Sequence, residues 1–387
     1  MKLAFFSNYL NHHQLPLCMG FYNNPNIEFV FVACEQIPDY RKDMGYEDMN
    51  HYPFVVRAYE NDAEAMNIAE TYDVVIFGGA PVRYLKERMK NNKLTFRFSE
   101  RLFKLGTWRR FIPTTRKKIY DGYIKYKNKN LYVLGASAYT AHDLVICGFK
   151  KDKCFRWGYF PKVIDQDVNN LFELKAENEV TKILYAGRLI PLKHVIDTVK
   201  SVHNLILQGK KVEFAIIGDG ESKQIIQEYI EQNNLTKQIK ILPFMSPDAV
   251  REYMDRADIY VFGSNFYEGW GAVVNEAMNS ACSVVVSHSV GSAAFIINHR
   301  INGCIYEFAN IEQLTGILTE LVEDKELRRK LGENAYNTVR TMWSAENAVN
   351  RFCMLCDTII QNKDYRTLFE NGPCSLSPIY KNNWIKE

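Results

Sequence analysis

The first third of the chain alternates short apolar runs with stretches of helical spacing. The apolar runs predict buried strands at Lys2–Phe6, Ile27–Ala33, Pro53–Val56, Asp73–Phe77, Leu94–Phe98 and Leu131–Leu134. The spacing between them predicts helices at Leu15–Tyr22, Ala63–Ala69 and Arg83–Lys90. Strands that alternate with helices form a parallel sheet with helices on both faces, and such sheets bind ligands at the carboxyl ends of their strands.

A second alternating series follows a polar stretch at Pro161–Asn170. Its apolar runs predict strands at Ile183–Ala186, Val212–Ile217, Ile239–Leu242, Ile259–Phe262 and Ser283–Val286, with helices beginning near Leu192, Glu221, Pro247 and Ala272. Residues 311–363 keep helical spacing with breaks near Asp324 and Trp343. A chain of 387 residues exceeds one ordinary core, so we expect two doubly wound α/β domains. No G-x-G-x-x-G follows the first strand, which argues against a dehydrogenase.

Composition narrows the class of protein. With 47% hydrophobic and 24% charged residues the chain is globular, and a net charge of +3 gives no indication of a nucleic-acid partner. Nine scattered cysteines favour a reducing compartment over a disulfide or zinc framework, and the closest pair, Cys353 and Cys356, lies in a predicted helix. The first residues turn polar too soon for a signal peptide, and no run of about 18 apolar residues occurs. We therefore expect a cytoplasmic protein.

The stretch Glu268–Glu276 carries the strongest local signal. The apolar run Ile259–Phe262 is followed by a turn flanked by Gly269 and Gly271, and then by a predicted helix. A helix start after such a turn directs backbone N–H groups and a positive dipole at an anion. Two carboxylates at the same place suit the hydroxyls of a sugar, since an ionised carboxylate only accepts hydrogen bonds. The alternative is a capped surface helix with two ordinary glutamates.

Two further turns fall at the same predicted sheet edge. Gly187-Arg188 and Lys193 follow the first strand of the second series, and Gly218-Asp219-Gly220 follows the next strand. The Arg188 guanidinium and the Lys193 ammonium suit phosphate oxygens. The alternative is a pair of solvated cations at an ordinary turn.

Taken in order, these motifs resemble the carboxyl-terminal domain of glycosyltransferase family 4. The resemblance covers residues 181–343 and also includes Glu276-Ala-Met278, Asn302-Gly303 and Leu327–Leu331. It implies a retaining GT-B enzyme, with two Rossmann-like domains facing each other across a cleft. We accordingly expect an acceptor domain at residues 1–165, completed by 346–387, and a nucleotide-sugar domain at 166–345.

The resemblance also implies roles for individual residues. Arg188 and Lys193 would hold the donor diphosphate and, with Glu268 at the sugar hydroxyls, form the catalytic set. Glu276 would bind the ribose. The implied donor-binding set is Gly187, Arg188, Lys193, Gly218, Gly269, Trp270, Gly271 and Glu276. No metal and no cofactor are expected, and the donor is expected to be a UDP-sugar rather than a GDP-sugar.

The sequence departs from the family pattern at three places. Trp270 stands where phenylalanine is usual, Ser280–Ser283 replaces a small-Gly-x-Pro stretch, and Gly291-Ser292 replaces a Gly-Gly pair. These departures bear on the identity of the sugar more than on the reaction.

The first domain offers acceptor candidates. Asn8–Gln14 occupies the place of the family's first loop, so Asn11, His12 and His13 are candidates for acceptor contact. Glu100 stands where many family members carry a histidine, although a glutamate at a helix start is equally ordinary. His142 lies within a predicted helix, which favours a structural role.

Residues 101–129 form a basic segment with interleaved aromatic side chains. Ten cations accompany the single acid Asp121, and Trp108, Phe111, Tyr120 and Tyr123 lie among them. Cations with interfacial aromatics predict docking on an anionic membrane, where a lipid-linked acceptor would lie. The alternative is amphipathic helices whose aromatics belong to the core.

The sequence therefore predicts a retaining glycosyltransferase that acts on a glycan or lipid-linked acceptor in surface polysaccharide assembly, at the cytoplasmic face of a membrane. One rival is a nucleotide-sugar epimerase on the same fold, which would need a dedicated acid/base set that the sequence does not display. The other is a non-catalytic partner subunit, against which the intact Arg188, Lys193, Glu268 and Glu276 count.

Overall fold

The computed structural model describes residues 1–39, 47–176 and 179–386. The chain divides into two compact units. Unit 1 comprises residues 1–162 and 344–382, and unit 2 comprises residues 163–343 and 383–387. Within the described residues, no helix is long and apolar enough to cross a membrane.

Both units are built from parallel strands separated by helices. The described strands are β1 (Lys2–Ser7), β2 (Glu28–Ala33), β3 (Val55–Arg57), β4 (Val74–Phe77), β5 (Thr95–Ser99), β6 (Leu131–Gly135), β7 (Cys154–Arg156), β8 (Thr181–Ala186), β9 (Val212–Ile217), β10 (Ile239–Leu242), β11 (Ile259–Phe262), β12 (Ser283–Ser287) and β13 (Cys304–Tyr306). The described α-helices are α1 (Leu15–Tyr22), α2 (Asp62–Thr71), α3 (Val82–Lys90), α4 (Pro113–Gly122), α5 (Thr140–Val145), α6 (Val168–Ala176), α7 (Val195–Leu207), α8 (Lys223–Gln232), α9 (Pro247–Arg256), α10 (Ala272–Asn279), α11 (Ala293–Ile296), α12 (Ile311–Glu323), α13 (Lys325–Asn337) and α14 (Ala345–Ile360).

Each sheet reverses its strand order once. In unit 1 the order is β3-β2-β1-β4-β5-β6-β7, and in unit 2 it is β10-β9-β8-β11-β12-β13, with every pairing parallel. The chain moves outward from β1 and from β8, then crosses to the other side at β4 and β11. The crevice between the carboxyl ends of such strands is where open α/β sheets bind ligands. Two doubly wound Rossmann-like sheets confirm the predicted α/β architecture.

Three structural details differ from the sequence prediction. The short strands β7 and β13 lie in stretches for which no strand was predicted. Helix α6 begins at Val168, inside the stretch 161–170 that the polar composition assigned to a linker. Residues beyond 363 had no predicted pattern, yet Leu376 pairs with Phe155 in an antiparallel bridge and covers the exposed edge of β7.

The buried guanidinium of Arg88 ties α3 to the ends of the unit 1 strands. It donates to the Thr95 hydroxyl and to four backbone carbonyls, those of Ala69, Tyr72, Asp73 and Leu94, over 2.6–2.9 Å. Burial lowers the pKa of Arg88 to about 9. A buried cation is tolerated here because the N–H groups of the Arg88 guanidinium all donate to acceptors.

Residues 101–129 are only partly a surface segment. Arg101 is buried, lies 3.4 Å from Asp143 and covers the ring of Tyr139. Phe103 and Tyr123 belong to the hydrophobic core of unit 1. The prediction that Arg101 and Tyr123 form part of an exposed docking face is therefore wrong, because the chain folds back onto the sheet at both positions.

Two helical glycines provide a matched test of packing in unit 2. A Cβ at Gly316 in α12 would meet no atom within 4 Å, whereas a Cβ at Gly332 in α13 would lie 2.3 Å from the Ala281 carbonyl oxygen. We expect Gly316→Ala to stabilise the protein by roughly 0.5–1 kcal/mol by lowering the entropy of the unfolded chain. Gly332→Ala should destabilise it by roughly 1–3 kcal/mol, since α13 must move away from the Ala281 carbonyl. Denaturant unfolding of both variants measures the difference, and a shift of the same sign in both would contradict this packing.

Candidate active site

The loops after β8 and β9 are packed directly against each other. A Cβ at Gly218 would lie 2.0 Å from the Gly187 carbonyl oxygen, and one at Gly220 would lie 2.4 Å from the Leu189 carbonyl oxygen. Both glycines also have a φ of +148°, a conformation that side chains disfavour. The Leu189 amide donates to the Asp219 carbonyl over 2.8 Å. Glycines at 218 and 220 therefore hold the loop that presents Arg188.

Arg188 and Lys193 emerge from this loop in different environments. Arg188 is exposed, and its carbonyl accepts a hydrogen bond of 3.0 Å from the buried Tyr185 hydroxyl. Among the described residues, no carboxylate forms an ion pair with Arg188. The Lys193 side chain is only 12% exposed, pairs with Glu268 and lies 4.7 Å above the ring of Phe262. The structure thus brings Lys193 together with a carboxylate 75 positions away in sequence.

The loop after β11 is anchored to the loop after β8. The Asn265 amide donates to the Leu192 carbonyl over 2.9 Å, and the Asn265 oxygens accept from the amides of Tyr267 and Glu268. This turn fixes the backbone that carries Glu268. Glu268 consequently lies beyond the carboxyl end of β11, beside the strand-order reversal of unit 2.

Helix α10 begins without a capping side chain. Gly271 precedes it at φ +84°, and a Cβ at this position would lie 2.8 Å from the ring of Phe262. The Val274 amide donates to the Gly271 carbonyl over 2.9 Å, so the first turn is closed by the backbone, and no side chain caps the helix end, which carries positive potential. The turn and helix start predicted after Gly269 and Gly271 are therefore present.

The side chain of Trp270 faces the interior rather than this turn. It is 1% exposed, packs against Trp343 and Phe295, and donates 2.9 Å from Nε1 to the Asn275 side-chain oxygen. The indole ring is therefore enclosed, and the backbone of Trp270 forms its part of the turn. A role of Trp270 in donor binding would therefore have to come from its backbone.

Glu276 lies one turn into α10, beside a cation that sequence reasoning did not identify. Arg251 of α9 donates to the Glu276 carbonyl and to the Asn279 side chain. Burial raises the pKa of the Glu276 carboxyl to about 7, and the charge of Arg251 acts in the opposite direction. No local pattern around Arg251 distinguishes it from an ordinary cation on the exposed face of a helix.

The raised pKa of Glu276 makes the stability of the protein dependent on pH. Because the native carboxyl holds its proton up to about pH 7 while the unfolded one releases it near 4.5, the native state binds more protons between these values. The contribution of Glu276 to stability is complete below pH 4.5 and is lost as the pH rises through 7. We expect a loss of roughly 1–3 kcal/mol over this window. Urea unfolding of wild type and Glu276→Gln at pH 5–8 tests this, since the variant should show a smaller fall.

Two histidines that the sequence analysis did not identify lie near the carboxyl ends of the unit 2 strands. His194 has a left-handed backbone (φ +50°), lies 3.1 Å from Asp197 and meets the ring of Phe308 edge-on at 4.5 Å. His288, after β12, accepts a hydrogen bond from the Phe308 amide. Each follows a different strand of unit 2, so only the sheet order brings them together.

The unit 1 candidates occupy the corresponding edge of their own sheet. The Asn11 side chain forms hydrogen bonds within the turn before α1. It accepts from the amides of His13 and Gln14 and donates to the Gln14 side chain. The rings of His12 and His13 lie 3.8 Å apart. Asn11 is thus placed as a turn former, whereas the rings of His12 and His13 lie against each other.

Glu100 is joined to the histidine loop through an aromatic side chain. Its carboxylate accepts 3.2 Å from the Tyr159 hydroxyl and 2.6 Å from the Lys104 ammonium. The Tyr159 ring lies 6.3 Å from that of His13. Tyr159 and Lys104 are therefore additional members of this candidate site. His142 lies in α5, as predicted.

Comparison with known proteins finds a family match for one segment of the chain. Residues 168–338 match the family model of glycosyl transferases group 1. This group 1 segment lies wholly within unit 2 and contains the turns at Gly187, Gly218 and Gly271, together with Glu268 and Glu276.

Two curated relatives illustrate the similarity in sequence. An uncharacterized glycosyltransferase of Methanocaldococcus jannaschii is 34% identical over 155 residues, which are 39% of this chain and 41% of that protein. The poly(glycerol-phosphate) alpha-glucosyltransferase of Bacillus subtilis is 24% identical over 212 residues, 54% of this chain and 31% of that one. The chain thus spans less than half the length of these relatives.

The similarity in structure extends beyond the group 1 segment. The crystal structure of Anabaena Alr3699/HepE in complex with UDP matches with a TM-score of 0.70 at 14% identity, covering 92% of this chain and all of that one (100%). At this identity the likeness shows the fold alone. It confirms the predicted GT-B fold.

Proposed function

We propose that this chain is a retaining glycosyltransferase that moves a sugar from a UDP-sugar to a hydroxyl group. The observation that supports this most is the placement of Arg188, Lys193, Glu268 and the uncapped start of α10 at one edge of the unit 2 sheet. Cations and helix amides suit a diphosphate, and carboxylates suit hydroxyls. The group 1 segment encloses all of them.

The donor would lie with its diphosphate at the start of α10. Arg188 and Lys193 would neutralise the two phosphates, and Glu276 would accept hydrogen bonds from the ribose. UDP is the favoured nucleotide because the structurally similar Anabaena protein binds it. We expect no metal requirement, since two cations and a helix end supply the positive charge that the leaving diphosphate needs.

The ion pair between Lys193 and Glu268 suggests how the donor sugar is oriented. A diphosphate would compete with Glu268 for the ammonium, while the sugar hydroxyls would donate to the carboxylate. Lys193 would then contact the phosphate on one side and Glu268 on the other. This arrangement would hold the anomeric carbon with the leaving phosphate oxygen and the acceptor oxygen on the same face of the sugar.

The transfer itself would proceed on one face of the sugar. The acceptor oxygen forms a bond to the anomeric carbon as the bond from that carbon to the phosphate oxygen breaks. The acceptor proton passes to the departing phosphate oxygen, so UDP leaves with that proton and the anomeric configuration is kept. No separate base is needed, which agrees with the lack of a dedicated acid/base set in the sequence.

The acceptor would contact unit 1 through His12, His13, Glu100 and Tyr159. The Bacillus subtilis relative acts on poly(glycerol-phosphate), which favours a glycan or polyol polymer as acceptor here too. We infer a role in surface polysaccharide assembly on a lipid-linked intermediate, at the cytoplasmic face of an anionic membrane.

Incubation with a panel of UDP-sugars and GDP-sugars tests this proposal. We expect slow release of UDP from one of these donors. When acceptor is added, we expect an α-linked donor to give an α-linked product. Conversion of the donor to its epimer without release of UDP would instead identify an epimerase. Binding without either reaction would indicate a non-catalytic subunit. The same assays with a chelator present test the expected independence from metals.

A further inference from the structure

The surface of unit 1 around α4 exposes large apolar side chains. Trp108 is 62% exposed, Phe111 72%, Tyr120 52% and Leu105 42%. These four residues, which we call the apolar patch, lie within sixteen positions of one another. Large apolar side chains that are exposed close together on a folded protein mark a site of interaction.

Two residues of the apolar patch, Phe111 and Tyr120, also line a cavity. Its volume is about 720 Å³, and its walls are formed by Phe111, Ile119, Tyr120, Ile124 and Ile146. Arg110, Arg116 and Lys117 also line it. The lining of the cavity therefore combines apolar side chains with three cations. This is the arrangement that fits a molecule with an apolar chain and an anionic head.

The cations around the cavity are available for a partner. Within the described residues, Lys117 pairs with Asp121, whereas Arg109, Arg110, Arg116 and Lys118 form no ion pair with a carboxylate. Arg110 lies over the ring of Phe111 at 4.7 Å, so charge and apolar surface are presented together. A patch of unpaired cations next to a cavity favours an anionic ligand.

We propose that this cavity binds the hydrocarbon chain of a phosphate-bearing lipid in an anionic bilayer, with the phosphate between Arg110 and Arg116. The proposal rests on the proposed function, because it places the membrane surface on the unit that holds the acceptor candidates. Apolar walls favour a lipid over a nucleic acid, since Arg110 already covers a face of Phe111 on which a base would stack. A chain inserted among isoleucines gains from the hydrophobic effect, which a free phosphate cannot use.

Vesicle sedimentation with the full chain tests the proposal. We expect binding to vesicles that contain phosphatidylglycerol, weak binding to phosphatidylcholine alone, and a decline as salt screens the cations. Arg110→Gln with Arg116→Gln should weaken binding roughly ten- to thirtyfold, and Phe111→Ser with Tyr120→Ser by a similar factor. These side chains are exposed or half-exposed, so thermal unfolding should be little changed.

Matched controls lie on unit 2. Leu207→Ser replaces a side chain that is 73% exposed, and Lys237→Gln with Lys330→Gln removes two exposed cations. Both controls should bind vesicles as the wild type does. An equal loss in a control and in its matched patch variant would show a non-specific effect of charge or hydrophobicity and would overturn the proposal.

Further measurements distinguish a bilayer lipid from other ligands. They also distinguish insertion of the lipid chain into the cavity from contact at the membrane surface. Trp108 fluorescence should be quenched by lipids that carry a nitroxide on the acyl chain, with Trp108→Phe as the blank. A lipid site would be contradicted if Trp108 fluorescence were not quenched. It would also be contradicted if inorganic phosphate displaced the protein from vesicles more than chloride of equal ionic strength does, or if the protein bound a single-stranded oligonucleotide more tightly than vesicles. UDP release without lipid should be unaffected in the patch variants, so failure of docking and failure of the proposed transfer are distinguishable.

Discussion

Lys193→Ala is expected to lower the transfer rate about a hundredfold or more, as removal of one preorganised charge does at comparable sites. Lys193 is nearly enclosed between Glu268 and the ring of Phe262, so water cannot easily take the place of its ammonium. The charge on the departing diphosphate would then be met by Arg188 and the start of α10 alone. Steady-state rates with the identified donor measure the effect.

Three comparisons make this result specific to the Lys193 charge. Lys223→Ala removes a cation from the neighbouring glycine turn, where it pairs with Asp219 at 2.8 Å and is 38% exposed, and should leave the rate nearly unchanged. Lys193→Arg should recover part of the activity, since it restores the charge. Addition of Mg²⁺ to Lys193→Ala should not rescue it. Undiminished activity in Lys193→Ala, or full dependence of the wild type on added Mg²⁺, would show that the phosphate site is wrongly assigned.

Glu276→Gln and Glu268→Gln are expected to impair different steps. Glu276→Gln should weaken the binding of bare UDP by roughly 1.5–3 kcal/mol, the range for a hydrogen bond to a charged group. Glu268→Gln should leave the affinity for UDP unchanged or slightly higher, because it releases Lys193 from its ion pair, yet lower turnover with the complete donor. Calorimetry with bare UDP and rate measurements with the UDP-sugar separate the two effects.

The pH at which UDP binding is measured affects the outcome for Glu276. With a pKa of about 7, the carboxyl is largely ionised at pH 8 and largely protonated at pH 6. The loss caused by Glu276→Gln should therefore be larger at pH 8 than at pH 6, since glutamine resembles the protonated acid. Equally poor binding of UDP by both glutamine variants at pH 8 would show that the two carboxylates do not divide the donor between them.

The strands and the glycine turns could be predicted from sequence because their determinants are local. An apolar run such as Ser283–Val286 is buried on both faces of a parallel sheet, and the turn around Gly271 needs a residue that tolerates a positive φ. Strands β7 and β13 were missed because three residues are too few to establish a period. Likewise, the polar residues Asn169 and Asn170 concealed the start of α6, which is held by packing rather than by composition.

The contacts within the candidate site were decided by the tertiary structure. The sequence determined that Lys193 and Glu268 each follow a strand, but not that they pair, because pairing depends on β8 and β11 lying side by side. The same holds for Arg251 beside Glu276, and for the aromatic ring of Trp270, which turns into the core. A residue's place along its strand is encoded by its immediate neighbours. The partner of its side chain is chosen only when distant segments meet at the sheet edge.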